Sequence, residues 1–209
     1  MSRPNTPAGQ IVILNGAPRS GKSSIVAAVQ DLLDGVWINL GVDVARSTTP
    51  PRLQPGVGLR PGEADHPASP YVPLLYAALY ESVAAHSRLG LNVAVDAGHH
   101  DAAILADAAK RLDGLPVLFV GVHCPLEVIM ERRRAAEAGR YVTSAEGDLV
   151  PPPVLRWQHE VHGDWTYDLE LDTSRLDPTD CATAIGNQLR NRPSLPAFAK
   201  LRELRGGGA

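Results

Sequence analysis

The chain has 209 residues, a hydrophobic fraction of 44% and a formal net charge of −3, a composition that is ordinary for one globular domain. This charge offers no basic field for nucleic acid and no polybasic patch for a membrane surface. With two cysteines, no apolar signal core and no apolar run of membrane-spanning length, the chain is expected to be cytoplasmic.

Short apolar runs alternate with helical patterns over residues 10–192, which predicts a single domain. The apolar runs predict five strands: Ile11–Leu14, Val36–Leu40, Leu91–Asp96, Pro116–Val122 and the segment YDLELDTS at 167–174. Helical spacing predicts helices at Ser23–Leu33, Tyr71–Leu89, Asp101–Leu112, from Pro125 to about Ala138, and from about Thr179 to Leu189. This order predicts an α/β fold of three layers, with a five-stranded parallel sheet and helices on both of its faces.

Three segments lack such patterns. Residues 1–9 are expected to be a disordered N-terminus, and residues 193–209 a flexible C-terminal tail. The segment Ser47–Pro70 contains many of the prolines and glycines, and an irregular loop of this length is typical of a lid, a binding segment or disorder.

The segment Gly16–Ser23, GAPRSGKS, fits the pattern G-x-x-x-x-G-K-[ST] at every position and lies between a predicted strand and a predicted helix. Its glycines let successive backbone N–H groups face a polyphosphate at the positive end of the helix. Lys22 would reach the β- and γ-phosphates, and the Ser23 hydroxyl would ligate Mg²⁺. The residues predicted to bind a nucleoside triphosphate here are Gly16, Ala17, Pro18, Arg19, Ser20, Gly21, Lys22, Ser23 and Ser24.

Two carboxylates follow predicted strands at the edge where ligands bind in open α/β sheets. Asp43 comes just after the second strand, where a carboxylate within one hydrogen bond of an attacking hydroxyl would act as general base. Asp96 ends the third strand beside the phosphate-binding loop, a setting that favours a Mg²⁺-ordering role. For either residue the alternative is a carboxylate that only caps a turn.

Basic residues follow the fourth strand: Arg132, Arg133, Arg134 and Arg140. A planar guanidinium suits the charge of a transferring phosphoryl group, whereas a solvated helix face is the alternative. The histidine pair His99 and His100 is expected to lie in a polar loop, with substrate lining as the alternative. His159 and His162 are expected to be hydrogen-bonded structural residues, with a metal pair as the alternative.

Six segments, in order from residue 10 to about 190, resemble the chloramphenicol phosphotransferase-like P-loop kinases. They are ILNGAPRSGKSS, WINLGVD, GLRPGE, LNVAVD, VLFVGVHCP and VH-x4-YDLELDTS. The resemblance implies transfer of a γ-phosphate from a nucleoside triphosphate, with Mg²⁺, to a hydroxyl of a small molecule. It implies that Asp43 is the base and that Lys22 and Ser23 serve the phosphates and the metal. The loop with Asp172 and Thr173 would then lie near the nucleotide base.

The resemblance also implies a basic lid after the fourth strand, at about 130–155, and an acceptor side at 47–70. The lid differs from the family's Arg-Gly-Asp-Arg-like pattern, because this chain reads RRRAAEAGRYVTSAEGDLVPPP, so the choice between Arg132 and Arg140 is left open.

The acceptor expected from the resemblance is an antibiotic or related natural product with a free hydroxyl, modified as in antibiotic resistance. A primary-metabolite kinase of the shikimate or nucleoside type and a non-catalytic nucleotide switch are the alternatives. ATP or GTP as donor and homo-oligomer formation are left open.

Overall fold

Strand β1, Ile11–Asn15, is the central strand of a five-stranded parallel sheet with the order β2-β3-β1-β4-β5. A computed structural model describes residues 7–54, 66–135, 150, 152–191 and 196–203. Its other strands are β2 Trp37–Asn39, β3 Asn92–Ala97, β4 Val117–His123 and β5 Leu169–Asp172. Every neighbouring pair in the sheet is parallel, so the predicted α/β fold is confirmed.

Helices cover both faces of this sheet. In chain order they are α1 Lys22–Leu32, α2 Val42–Ser47, α3 Val72–Arg88, α4 Ala102–Arg111, α5 Leu126–Ala135, α6 Pro152–Glu160, α7 Pro178–Arg190 and α8 Pro196–Lys200. One face of β1 packs with α3, α4 and α8, and the other face packs with α1 and α7. Because both faces of β1 are buried, its sequence is a continuous apolar run rather than an alternating one. In the described part of the chain, no helix has the length and apolar composition needed to cross a bilayer.

The short helix α2 is absent from the sequence prediction, which ended the second strand at Gly41 and gave no helix before Tyr71. Six residues are too few to show helical periodicity, so nothing in the pattern marks it. A Cβ atom on Gly41 would lie 3.0 Å from the Cβ of Asp96, so α2 begins in close contact with the end of β3. Asp43 therefore lies in the first turn of a helix that begins beside the end of β3.

The expected flexible tail is corrected at residues 196–203. Helix α8 and the 3₁₀ turn Leu201–Glu203 pack onto the sheet, with Phe198 only 2% exposed and its ring 5.3 Å from that of Phe119. The predicted disorder of residues 1–9 is also corrected at Gly9, which is buried. Its N–H donates to the Ser87 carbonyl at 2.8 Å. The remaining predicted ends, 1–6, 193–195 and 204–209, lie outside the described residues.

The segment 47–70 is mostly irregular where it is described. It contains 3₁₀ turns at Pro51–Leu53 and Ser69–Tyr71, whereas 55–65 lies outside the described residues. The lid region predicted at about 130–155 is described only where α5 ends, at residue 150 and where α6 begins.

Candidate active site

The phosphate-binding loop between β1 and α1 has the curled backbone that its sequence predicts. Arg19 and Gly21 adopt left-handed conformations, with φ of 68° and 96°. A Cβ atom on Gly16 would lie 2.4 Å from the carbonyl oxygen of Val122, so only glycine allows the loop to lie this close to β4. Helix α1 starts at Lys22 and directs its positive end towards the loop.

Lys22, Ser23 and Asp96 meet at this helix terminus. The Lys22 ammonium is largely buried, donates to the Ala17 carbonyl at 2.8 Å and lies 3.6 Å from Asp96 Oδ1. The Ser23 hydroxyl donates to Asp96 Oδ2 at 2.5 Å. A hydroxyl and a carboxylate oxygen in contact match the donor preference of Mg²⁺, which binds few protein ligands when phosphates supply others. Within the described ranges no cluster of three His, Cys, Asp or Glu side chains could hold a metal alone.

Asp43 lines the same cleft as Lys22 and Ser23. This cleft has a volume of about 490 Å³, and the other described residues that line it are Arg19, Gly21, Ser24, Ile25, Arg132, Thr173, Leu176 and Pro178. The Asp43 side chain is 67% exposed, and its Oδ1 lies 3.6 Å from Nε of Arg46. The carboxylate is therefore open to a ligand that enters the cleft from solvent.

Arg132 also lines the cleft, but its guanidinium is hydrogen-bonded to backbone and side-chain groups around the loop. It donates to the carbonyl oxygen of Thr173 at 2.7 Å, to the Thr173 hydroxyl at 3.1 Å and to the Arg19 carbonyl at 3.3 Å. Its side chain thus joins α5, the loop after β5 and the phosphate-binding loop. Arg140, the other predicted lid arginine, lies outside the described residues.

Thr173 and Asp172 differ in orientation although they are adjacent. The Thr173 hydroxyl, which is buried, donates to the Ser20 carbonyl at 2.7 Å and so holds the loop after β5 against the phosphate-binding loop. The Asp172 carboxylate accepts from the Ser174 N–H and hydroxyl, and these hydrogen bonds lower the pKa of Asp172. Of the two, Thr173 lines the described cleft, whereas the Asp172 carboxylate caps its own turn.

The sequence pattern did not predict a buried polar network around Asn15 and His99. His99, expected in a polar loop, has no exposed surface, and its Nε2 lies 2.5 Å from the Tyr80 hydroxyl. Asn15, the last residue of β1, hydrogen-bonds to the His99 backbone, to Val161 and to Tyr167. The one sequence signal for Asn15 is an amide that ends an otherwise apolar strand. The structural role expected for His162 is confirmed by its Nδ1 contact with the Tyr167 hydroxyl at 3.0 Å.

The fold and this loop define the class of protein as a P-loop kinase. The chain belongs to the chloramphenicol phosphotransferase-like protein family, whose model matches residues 9–190, and it is accordingly a phosphotransferase. "Putative O-phosphotransferase MT2714" of Mycobacterium tuberculosis strain CDC 1551 is 28% identical over 212 aligned positions, which cover 94% of this chain and 89% of that protein. "Putative O-phosphotransferase Rv2636" of strain H37Rv matches with the same values.

Solved structures share the fold at low sequence identity. The Mycobacterium tuberculosis APS kinase CysC in complex with AMPPNP and APS has a TM-score of 0.62 and 21% identity, over 88% of this chain and 99% of that one. The Deinococcus radiodurans tunicamycin resistance protein has a TM-score of 0.60 and 20% identity, over 87% and 95%. Shikimate kinase from Aquifex aeolicus has a TM-score of 0.52 and 14% identity, over 87% and 96%.

The Thr173 hydroxyl should contribute to stability and nucleotide binding together. We expect Thr173→Val to lower the free energy of unfolding by about 1–3 kcal/mol, because it removes the hydroxyl that donates to the Ser20 carbonyl and accepts from Arg132. Urea denaturation would measure this loss, and titration with a nucleotide would measure the accompanying loss of affinity. Thr173→Ser is the matched control because it keeps the hydroxyl, and equal behaviour of the two variants would refute the assignment.

His162 should make the protein sensitive to acid. Burial, reinforced by the nearby charges of His123 and Lys22, lowers the pKa of His162 to about 4. Between its unfolded pKa of about 6.5 and about 4, the unfolded chain binds a proton that the folded chain does not, so the free energy of unfolding falls as pH falls. We expect His162→Gln, whose side chain can still accept from Tyr167, to lose less stability than wild type over this window. Urea denaturation from pH 7 to 4.5 would measure it, and parallel curves would contradict the expectation.

Proposed function

We propose that the chain transfers the γ-phosphate of a nucleoside triphosphate to a hydroxyl of a small molecule, with Asp43 as the general base. The observation that carries the proposal is the position of the Asp43 carboxylate in the same cleft as Lys22 and Ser23. A carboxylate opposite a phosphate-binding loop is what a kinase needs to accept the proton of an attacking hydroxyl. A nucleotide switch has no use for such a base.

On the donor side, the curled loop and the N-terminus of α1 would bind the phosphates through backbone N–H groups. Lys22 would exchange its contact with the Ala17 carbonyl for the β- and γ-phosphate oxygens. Ser23 and Asp96 would hold Mg²⁺, which when bound neutralises the charge that develops on those oxygens. We propose ATP or GTP as the donor, with Thr173 beside the nucleotide base.

On the acceptor side, Asp43 would accept a hydrogen bond from the substrate hydroxyl and align its oxygen with the γ-phosphorus. The new bond joins this oxygen to phosphorus while the bond between phosphorus and the β–γ bridging oxygen breaks. The hydroxyl proton passes to the Asp43 carboxylate and then to solvent, and the diphosphate leaves with the electron pair of the broken bond. The 67% exposure of the Asp43 side chain allows this release.

We propose an antibiotic or related natural product as the acceptor, used in a cytoplasmic resistance-type modification. Support comes from the family's name and from the likeness to a tunicamycin resistance protein. A primary-metabolite kinase is the second candidate, because an APS kinase and a sugar kinase from Janibacter each have a TM-score of 0.62 to this chain.

Acceptor-dependent turnover tests the proposed reaction. Purified protein with Mg²⁺ and ATP or GTP would be assayed against hydroxylated antibiotics, shikimate-like acids, sugars and nucleosides, and each product would be checked by mass spectrometry for an added phosphate. Phosphorylation of an antibiotic is the expected result. A product confined to primary metabolites would favour the second candidate, and nucleotide binding without turnover of any acceptor would contradict both.

The assignment of Asp43 makes its own prediction. Asp43→Asn should lower kcat about 10²- to 10⁴-fold, because the amide cannot accept the hydroxyl proton, while the Kd of the nucleotide changes little. Asp31→Asn is a matched control, because Asp31 is an exposed carboxylate near the far end of α1. Steady-state kinetics and nucleotide titration would separate the two effects, and near wild-type turnover by Asp43→Asn would disprove the role.

A further inference from the structure

Asn15 is a buried amide at the junction of β1 and the phosphate-binding loop, with no exposed surface. Its Oδ1 accepts from the His99 N–H at 2.6 Å. Its Nδ2 donates to the carbonyl of Val161 at 2.8 Å and to the hydroxyl of Tyr167 at 3.0 Å. One side chain therefore connects β1 with the loop after β3 and with the segment between α6 and β5.

The hydrogen bonds of Asn15 continue through Tyr167. The Tyr167 hydroxyl accepts from Asn15 and lies 3.0 Å from Nδ1 of His162. Burial raises the pKa of Tyr167 and lowers that of His162, so a neutral hydroxyl faces a neutral imidazole. On the other side of Asn15, burial also raises the pKa of Tyr80, whose neutral hydroxyl contacts the His99 ring.

These connections extend to the phosphate-binding loop itself. The loop 97–100 follows Asp96, and its Gly98 lies between the phosphate-binding loop and α6. A Cβ atom on Gly98 would be 3.0 Å from the Trp157 ring and 3.1 Å from the Gly16 carbonyl oxygen. Asn15 therefore bonds to two segments, one of which fits against the phosphate-binding loop with no room for a methyl group.

Only an amide of this length satisfies all these partners. Asparagine offers one acceptor oxygen and two N–H donors, whereas aspartate would offer acceptors alone and leucine neither. Loss of the amide would remove one of the two donors to the Val161 carbonyl, which also accepts from Trp165 Nε1, and the acceptor of the His99 N–H, so the two segments would shift to recover these bonds.

We propose that Asn15 is a positioning residue that fixes loop 97–100 and the Val161 segment against the phosphate-binding loop, and thereby sets the geometry of the acceptor. This inference rests on the proposed function, because it takes the space beside Asp43 and loop 97–100 as the acceptor site. Asn15 acts through these backbone segments and does not contact the reacting groups.

Asn15→Asp tests the proposal, since it keeps an acceptor for the His99 N–H and removes the donors to Val161 and Tyr167. We expect kcat/KM for the acceptor to fall about 10- to 100-fold while the nucleotide Kd changes by less than about threefold. Asn92→Asp is the matched control: Asn92 accepts from the Gln10 N–H at the opposite end of the sheet. An effect no larger than that of Asn92→Asp, or an equal loss of nucleotide affinity, would overturn the proposal.

Tyr167→Phe provides a second, milder variant if Asn15→Asp fails to fold. It removes one partner of Asn15 and leaves the bonds to His99 and Val161, so a decrease of about threefold in acceptor kcat/KM is expected. An unchanged acceptor kcat/KM in this variant would count against the proposal.

Amide hydrogen exchange tests the positioning role of Asn15 without an activity assay. In Asn15→Asp the amides of 97–100 and Val161 should exchange faster, while those of β1 and β4 keep their protection. Uniform loosening of the whole sheet, or unchanged exchange at 97–100, would refute positioning. If the wild-type protein phosphorylates no acceptor, that outcome refutes the proposed function. The exchange experiment still tests the positioning role of Asn15 in that case.

Discussion

The site depends on the close approach of the phosphate-binding loop to the end of β4. Gly16 lies so near the Val122 carbonyl that a Cβ atom there would be 2.4 Å from the oxygen. Beyond this contact, the Thr173 N–H donates to the His123 carbonyl at 3.0 Å, and the Thr173 hydroxyl reaches the Ser20 carbonyl at 2.7 Å. The Gly16 contact and the two Thr173 hydrogen bonds therefore hold the phosphate-binding loop against the paired ends of β4 and β5.

The donor side of the cleft and the proposed acceptor side differ in the groups that form them. The donor side consists of backbone N–H groups, a helix terminus and Lys22, which the fold places wherever the loop motif occurs. The proposed base, Asp43, lies on α2, a separate segment that begins in contact with the end of β3. The solved structures of low identity therefore show the shared fold, whereas the acceptor depends on side chains that differ from one protein to another.

The sequence pattern predicted those parts of the structure that depend on residues close together in the chain. The buried strands, the phosphate-binding loop and the position of Asp43 at a strand end follow from residues close together in sequence. The pattern failed where structure depends on distant contacts: α8 is held by packing of Phe198 on Phe119, and Asn15 bonds residues 84 and 146 positions away. Helix α2 is too short for its period to be read, although it carries the proposed base.

The contacts of Arg132 bear on what its positive charge contributes to the proposed phosphoryl transfer. Its guanidinium is bonded to Thr173 and to the Arg19 carbonyl, so it presents nearly the same field before and during phosphoryl transfer. An interaction of equal strength in both states improves binding of the donor and does not accelerate the chemical step. A donor that is fixed before the reaction nevertheless stabilises charge that develops only in the transition state, because it needs no reorganisation at that moment. The guanidinium of Arg132 therefore holds α5 and the loop after β5 against the phosphate-binding loop, and it is also fixed in place as such a donor must be, so the choice between Arg132 and Arg140 as the catalytic arginine stays a prediction.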